Sequence, residues 1–288
     1  MSMSKTILIT GASTGFGRDT AETLARAGHT VFASMRDTRA KNREHADELH
    51  KQGIKVVELD VSSDASVEKA IEEVLANART IDVLVNNAGV ASAGITEAFT
   101  PDQAKVVFNT NVVGVLRTSR AVLPAMRKHR DGLIINIGSI LGRVTFPVFG
   151  IYGASKFAVE ALTESLRYEV SQLGIDVTLV QPSAYPTAMY RSALQPADSA
   201  RAGGYGEIAD IPTAMFGHFM SVFRSASAPD PHDVAEAIRG LIALPKGTRP
   251  ARTVVGTAFG SDTVNAQTAP VQAHVLESLG LAHLANIV

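Results

Sequence analysis

The stretch Thr6-Ile-Leu-Ile-Thr10-Gly11-Ala-Ser13-Thr14-Gly15-Phe16-Gly17 decides the fold. Its first part, Thr6 to Thr10, is a short apolar run of the kind that a strand buried on both faces requires. Gly11, Gly15 and Gly17 follow at once, and an amphipathic helix pattern continues to about Ala27, where Gly28 closes it. In a strand, glycine turn and helix, backbone N–H groups gather at the helix start and form an anion site. The missing Cβ atoms let a pyrophosphate approach. The spacing G-x-x-x-G-x-G departs from the commoner G-x-G-x-x-G fingerprint. A glycine-rich turn that binds nothing is the alternative; the strand before it and the helix after it favour a nucleotide.

Outward from this turn the strand-helix rhythm repeats. A second strand, Thr30 to Ser34, runs into Met35-Arg36-Asp37. The ribose-reading position is expected roughly 20 residues past the glycines, acidic for NAD, with an arginine nearby for the 2′-phosphate of NADP. Arg36 comes first and can fork onto a phosphate, so NADP is favoured, with NADPH preferred over NADH. Asp37 is the counter-signal, or else a cap for the charged helix or loop from Arg39 to Gln52. His45 and His50 in that segment lack metal-ligand spacing.

A third strand, Ile54 to Leu59, ends at Asp60-Val61, on the ligand side of an open sheet. Asp60 reads equally as an acceptor for an adenine amine and as a helix-entry residue. A helix from Asp64 to about Asn77 follows, capped by Ser63 or Asp64. The fourth strand, Ile81 to Val85, closes with Asn86-Asn87-Ala88-Gly89. Those residues can line a cofactor crevice or bond neighbouring backbone. Two helices are expected next, Pro101 to Arg117 with Asn111 inside it, and Ser119 to Arg130. Asparagine competes with the helix backbone for hydrogen bonds, so Asn111 either unwinds its helix locally or is an ordinary buried polar group. The fifth strand, Leu133 to Ile137, carries Gly138-Ser139 at its carboxyl end.

Tyr152-Gly-Ala-Ser-Lys156 places a phenol and an ammonium on one helix face, a turn apart. Moving a phenol from a pKa of about 10 to about 7 takes roughly 4 kcal/mol. A cation about 4 Å away supplies about that much only at an effective dielectric near 20. The pair therefore works as an acid/base only in a partly dry pocket. Ser139, one loop earlier, adds a hydroxyl able to hold a carbonyl oxygen.

Together these residues resemble the short-chain dehydrogenase/reductase family. The resemblance rests on Gly11-x-x-x-Gly15-x-Gly17, Asp60-Val61, Asn86-Asn87-Ala88-Gly89, Asn111, Ser139 and Tyr152-x-x-x-Lys156, in family order, across about residues 5–190. It implies a single doubly wound Rossmann domain over 1–288, a parallel α/β sheet of about seven strands with helices on both faces. It implies Tyr152 as proton donor and Lys156 as the residue that holds the nicotinamide ribose and lowers the phenol's pKa. Ser139 would position the substrate oxygen, and a kink at Asn111 would hold a water linked to Lys156. Cofactor contacts are expected from Gly11, Ser13, Thr14, Gly15, Phe16, Gly17, Arg36, Asp60, Val61, Asn87, Ala88, Gly89, Tyr152, Lys156, Pro182, Tyr185 and Thr187. The sequence departs from the family after its sixth strand, Ile175 to Val180. Ser183 replaces a glycine there, and Tyr185 stands where a small apolar residue is usual, so that its ring narrows the pocket. Thr187 remains in register for the carboxamide or a phosphate.

Residues 188–229 read as a substrate lid. Met215, Phe216, Phe219, Met220 and Phe223 recur there at helical spacing, facing either the core or an apolar substrate. A helix with Asp230 as N-cap runs to about Leu244, and Arg252 to Val255 is a seventh strand. Residues 256–288 form an extension with a helix from about Pro270 to Leu279, which either covers the pocket or meets a second subunit. The chain has 288 residues, no cysteine and a net charge of −1. These exclude a disulfide framework and a thiol nucleophile, and give no sign of a nucleic-acid partner or a membrane partner. The start, Met1 to Lys5, does not read as a signal peptide, so a cytoplasmic protein is expected. The expected function is NADPH-dependent reduction of an apolar, bulky ketone or aldehyde. An NAD-dependent alcohol dehydrogenase, a dinucleotide sensor without turnover, and an isomerase on the same scaffold are the alternatives. The resemblance also implies a homodimer or homotetramer.

Overall fold

A computed structural model describes residues 4–288; Met1 to Met3, part of the stretch read as no signal peptide, lie outside the described residues. Seven strands form one parallel sheet in the order β3-β2-β1-β4-β5-β6-β7. They are β1 (Thr6–Ile9), β2 (Thr30–Met35), β3 (Lys55–Glu58), β4 (Val83–Asn86), β5 (Gly132–Ile137), β6 (Ile175–Pro182) and β7 (Arg252–Val255). Helices α1 (Gly15–Arg26), α2 (Arg43–Lys51) and α3 (Asp64–Ala78) connect the first four strands. Further along lie α4 (Pro101–Phe108), α5 (Gly114–His129), α6 (Gly150–Ser171), α7 (Ser199–Gly203), α8 (Ile211–Phe223), α9 (His232–Ala243) and α10 (Ser261–Ser278).

Side chains alternate across a strand, and the two cores follow that period. Ile7, Ile9, Val31, Ala33, Val83 and Val85 point to the face covered by Leu24 of α1 and Ile238 of α9. Leu8, Phe32, Leu84 and Ile134 point to the other face, against Ile71 of α3, Val122 of α5 and Val170 of α6. Each fully buried side chain of this kind stabilises the fold by about 1.5–3 kcal/mol. Among the described residues no helix is long and apolar enough to cross a membrane.

The strand order reverses between β1 and β4, both of which run in the same direction. Loops leaving them depart to opposite faces and open a crevice at the carboxyl edge, where ligands of such sheets bind. The glycine turn after β1 and the asparagines after β4 both lie there.

Three elements differ from their sequence reading. Residues 101–129 are one continuous helical run, not two helices parted near Thr118. Its irregularity is a π-helical segment, Asn109–Val113, between α4 and α5. The Thr118 hydroxyl, where the two helices are expected to part, donates to Asn86 Oδ1 at the end of β4 at 2.6 Å. The last helix starts at Ser261, after Gly260 turns with φ +84°, so Pro270 lies inside it. Helix α9 starts at His232, with Pro231 at its N-cap; Asp230 still accepts from the His232 amide at 2.9 Å.

Candidate active site

The glycine turn is held by contacts that leave no room for side chains. Gly11 has φ +66°, and a Cβ there would stand 2.8 Å from Ala88 Cα. A Cβ on Gly17 would stand 2.3 Å from Asn87 Nδ2. The Asn87 amide donates to Thr10 O at 2.9 Å and Gly11 O at 3.0 Å, and so ties the end of β4 to the turn. Asn86 serves a different purpose. Its amide donates to Asn136 Oδ1 at 2.8 Å inside the sheet. Helix α1 then begins with no side-chain cap at Thr14, so its first N–H groups face the crevice. Ser13 is half-buried beside them. Thr187 faces the same turn from the far side, its Cβ 3.9 Å from where a Gly15 Cβ would be.

Arg36 is exposed at the end of β2. Asp37 adopts φ +51°, and its carbonyl accepts from the amides of Ala40 and Asn42 at 3.0 Å each. Asp37 is thus a turn residue through its backbone, and its carboxylate is exposed next to Arg36. Asp60 accepts from the Ser62 amide at 2.8 Å and the Ser62 hydroxyl at 2.6 Å. Burial pushes its carboxyl up, but those two bonds and the nearby Arg36 charge outweigh burial and hold it below the usual range. Val61 packs against Gly114, whose missing Cβ permits that approach. Gly89 lies against Asn111.

Asn111 is 1% exposed in the π segment. Its oxygen accepts from Val90 N at 2.8 Å, and its amide donates to Val90 O and to Ser155 Oγ at 2.9 and 3.0 Å. Ser155 in turn donates to Tyr152 O at 2.7 Å. The bulged helix therefore braces the first turns of α6, where Tyr152 and Lys156 sit.

Lys156, 5% exposed, donates to Ile137 O at 2.8 Å, and its ammonium lies 5.6 Å from the centroid of the Tyr152 ring. Ser139, at the end of β5, lines the same cavity as Tyr152, and its hydroxyl oxygen accepts from the Leu141 amide at 3.1 Å. The expectation that Lys156 lowers the phenol's pKa is not met by the protein alone. Burial pushes Tyr152 up to about 12, against the opposing bond from Ser139. Burial also pulls Lys156 down to about 8, opposed by the charge of Glu160. Tyr152 is partly open toward the cavity, but its hydroxyl is desolvated. At neutral pH the phenol is protonated and the lysine mostly charged.

These groups form the floor of a cavity of about 370 Å³. Its walls include Phe16, Leu141, Phe146 and Phe149, and Tyr190 and Phe219 close it from the lid side. Helix α8 is held by ring contacts, Phe219 lying 6.4 Å from Phe149 and 5.8 Å from Tyr190. Val148, on the wall, has φ +64°, a strained conformation for a β-branched residue. Tyr185 is 1% exposed and part of the core, although its ring reaches the cavity wall. Its hydroxyl donates to Asp233 at 3.2 Å, away from the cavity, while its ring stands at the wall as expected for a residue that narrows the pocket. Ser183, in the place of the family glycine, turns its Cβ toward Gly256 on the β7 side. Pro182 ends β6 directly beside Val255.

The sequence reading missed Glu160 and the groups around it. Glu160 lies one turn beyond Lys156, 4% exposed, and bonds Gln181 and Arg252. Asn265 of α10 bonds Gln181 at 2.6 Å and Arg143 at 2.9 Å, and Phe259 packs on Phe146 at 5.4 Å. The i+4 spacing from Lys156 was the available signal for Glu160. Tyr190 was missed as well, since nothing in the lid sequence separates it from its neighbours.

Comparison with known proteins agrees with this geometry. Residues 5–198 match the family described as short chain dehydrogenase. A 3-ketodihydrosphingosine reductase of Bacteroides thetaiotaomicron is 42% identical over 181 residues, 63% of this chain and 64% of that protein's length. Human retinol dehydrogenase 8 is 34% identical over 258 residues, 85% of this chain and 79% of that protein. A short-chain dehydrogenase of Streptomyces avermitilis has a crystal structure that superposes with a TM-score of 0.78 at 30% identity, covering 97% of this chain and 98% of that one. With its glycine turn, its sheet order and Tyr152 and Lys156 at one crevice, this chain belongs to the short-chain dehydrogenase/reductase family.

Proposed function

We propose that the chain is an NADPH-dependent reductase that converts an apolar, bulky ketone or aldehyde to the alcohol, reversibly. The observation that carries this reading is the convergence of Ser139, Tyr152 and Lys156 on the floor of an apolar cavity at the switch point of the sheet. The dinucleotide fits the crevice: α1 presents uncapped amides, and Gly11 and Gly17 leave space that a Cβ would fill. When bound, it supplies the reducing equivalent at the carbonyl carbon.

The remaining chemistry belongs to the chain. The Ser139 hydroxyl and the Tyr152 phenol meet the carbonyl oxygen, and the phenol gives up its proton as charge develops there. The phenolate left behind lies beside the Lys156 ammonium. At about 4 Å and an effective dielectric near 20, such a pair gains roughly 4 kcal/mol. Aromatic walls and the lid keep the site dry enough for that gain. Arg36, exposed at the end of β2, supports NADPH over NADH, because a guanidinium there can fork onto a 2′-phosphate. The two relatives named above act on 3-ketodihydrosphingosine and retinol according to their names, which supports an apolar substrate class.

Tyr152→Phe tests the reading. Turnover of an apolar ketone should fall by about a hundredfold or more while NADPH affinity stays within about threefold. Wild-type turnover in that variant would end the assignment.

A further inference from the structure

The charges around the cavity are one-sided. Its lining holds two cationic residues, Lys156 and Arg191, and no carboxylate. Lys156 is buried at the floor and engaged with Ile137 O. Arg191 follows a short 3₁₀ turn, Ala188–Tyr190, and is exposed. Among the described residues its guanidinium has no partner. The acids of the neighbouring lid segment do not neutralise it. Asp198 and Glu97 are held by Arg201, and Glu97 also by Tyr205; neither acid reaches the lining, nor do Glu207 or Asp210.

The phenol next to it points the same way. Tyr168, Tyr185 and Tyr205 bond carboxylates, and Tyr152 meets Ser139. The Tyr190 hydroxyl has no such partner among the described residues, yet its ring lines the cavity and stacks near Phe219 and Phe223, at 5.8 and 5.2 Å. Burial beside Tyr152 keeps this phenol neutral, hence a donor. Besides neutral hydroxyls and amides such as Ser139, Thr187 and Gln195, the lining thus offers an acid/base pair, a phenol and a guanidinium without a side-chain partner among the described residues. Such a wall accepts lone pairs and negative charge and offers a protonated amine no counter-charge.

We propose that the substrate is an apolar ketone or aldehyde bearing a carboxylate or similar anionic group, which Arg191 recognises at the rim with Tyr190 donating beside it. This rests on the reductase reading above and sharpens it. The pair is rim-exposed, so its effect is a preference of about tenfold, roughly 1.4 kcal/mol, weakening with salt.

The test uses three ketones with one apolar body, ending in a carboxylate, a carboxamide or an ammonium, and NADPH with the full chain. Wild type should favour the carboxylate over the carboxamide by about tenfold in kcat/KM, mainly through KM, with the ammonium poorest. In Arg191→Gln the ratio of carboxylate to carboxamide should fall to about one, and Arg191→Lys should recover part of it. Equal use of all three, or preference for the ammonium, overturns the proposal. So does a loss of NADPH affinity in Arg191→Gln with all three ketones falling together, which would put Arg191 on the cofactor. Calorimetric titration of the same compounds ranks them without turnover. An unranked titration overturns the anion site, whereas ranked binding with no turnover supports it and counts against the reductase reading alone.

Discussion

Lys156→Met should make the protein more stable at neutral pH while destroying its activity. The ammonium is 5% exposed and its pKa is pulled by burial from 10.5 to about 8, against the opposing Glu160 charge. At about 1.36 kcal/mol per unit, carrying that charge costs the folded state roughly 3 kcal/mol at pH 7. Methionine fills the stem's volume with little packing penalty. It leaves Ile137 O, which accepts from Lys156 at 2.8 Å, without this donor, at a cost of about 1–3 kcal/mol. The net gain is about 0–2 kcal/mol at pH 7. The sign of the pH dependence follows from the direction of the shift. A lysine with a depressed folded pKa binds fewer protons folded than unfolded between about 8 and 10.5, so wild-type stability rises with pH through that window. The variant lacks this term. Its advantage should shrink by roughly 2 kcal/mol between pH 7 and pH 9.5. Urea denaturation of both proteins at those two pH values measures the difference directly, and the other titrating groups largely cancel in it. A stability difference that does not change with pH, or a variant much weaker than wild type at pH 7, would refute the reasoning. Turnover should fall by about a hundredfold or more.

Gly17→Ala should cost about 2–4 kcal/mol in urea denaturation and weaken NADPH more than tenfold, since its Cβ would stand 2.3 Å from Asn87 Nδ2 and 2.6 Å from Gly11 O. A variant within about 0.5 kcal/mol of wild type would mean that the turn does not depend on that contact. Arg36→Ala should raise the Kd of NADPH by about 10–100-fold and that of NADH by less than about threefold in fluorescence titration. Equal losses would move cofactor choice away from this guanidinium.

The sheet was legible because β1, β4, β5 and β6 bury both faces, so an apolar run and a following turn are enough to find them. The reversal at β1 and β4 came only with the resemblance, since strand order is not written in any single segment. Helix boundaries failed where local chemistry resembled a cap. Ser119 reads as a helix start, but α5 runs through it, and the neighbouring Thr118 hydroxyl is committed to Gly114 O and Asn86. Pro270 reads as an opening residue, yet α10 continues through it with nine residues before it. In the site, the spacing of Tyr152 and Lys156 gave the pairing and Ser139 the third group. Spacing carries no information about desolvation, and desolvation holds the phenol at about 12 in the protein alone. Tyr185 and Ser183 were visible as departures, but only packing shows that one bonds Asp233 and the other turns to Gly256.

The C-terminal extension acquires a physical role from the same electrostatics. A buried ammonium at Lys156 is tolerable because Glu160, a turn away, favours its charged form. Glu160 is itself buried, and an unpartnered carboxylate there would be expensive. It pairs with Arg252 at 2.8 Å and Arg143 at 3.4 Å, and it accepts from Gln181. Arg143 and Gln181 are both fixed by one residue of α10, Asn265. Thus the added helix orders the groups that hold Glu160, and Glu160 offsets part of the cost of the lysine. Phe259, from the turn that launches α10, packs on Phe146 of the cavity wall. Residues beyond β7 therefore bear on both the charge and the shape of the site, through contacts with α6, β6 and the cavity wall.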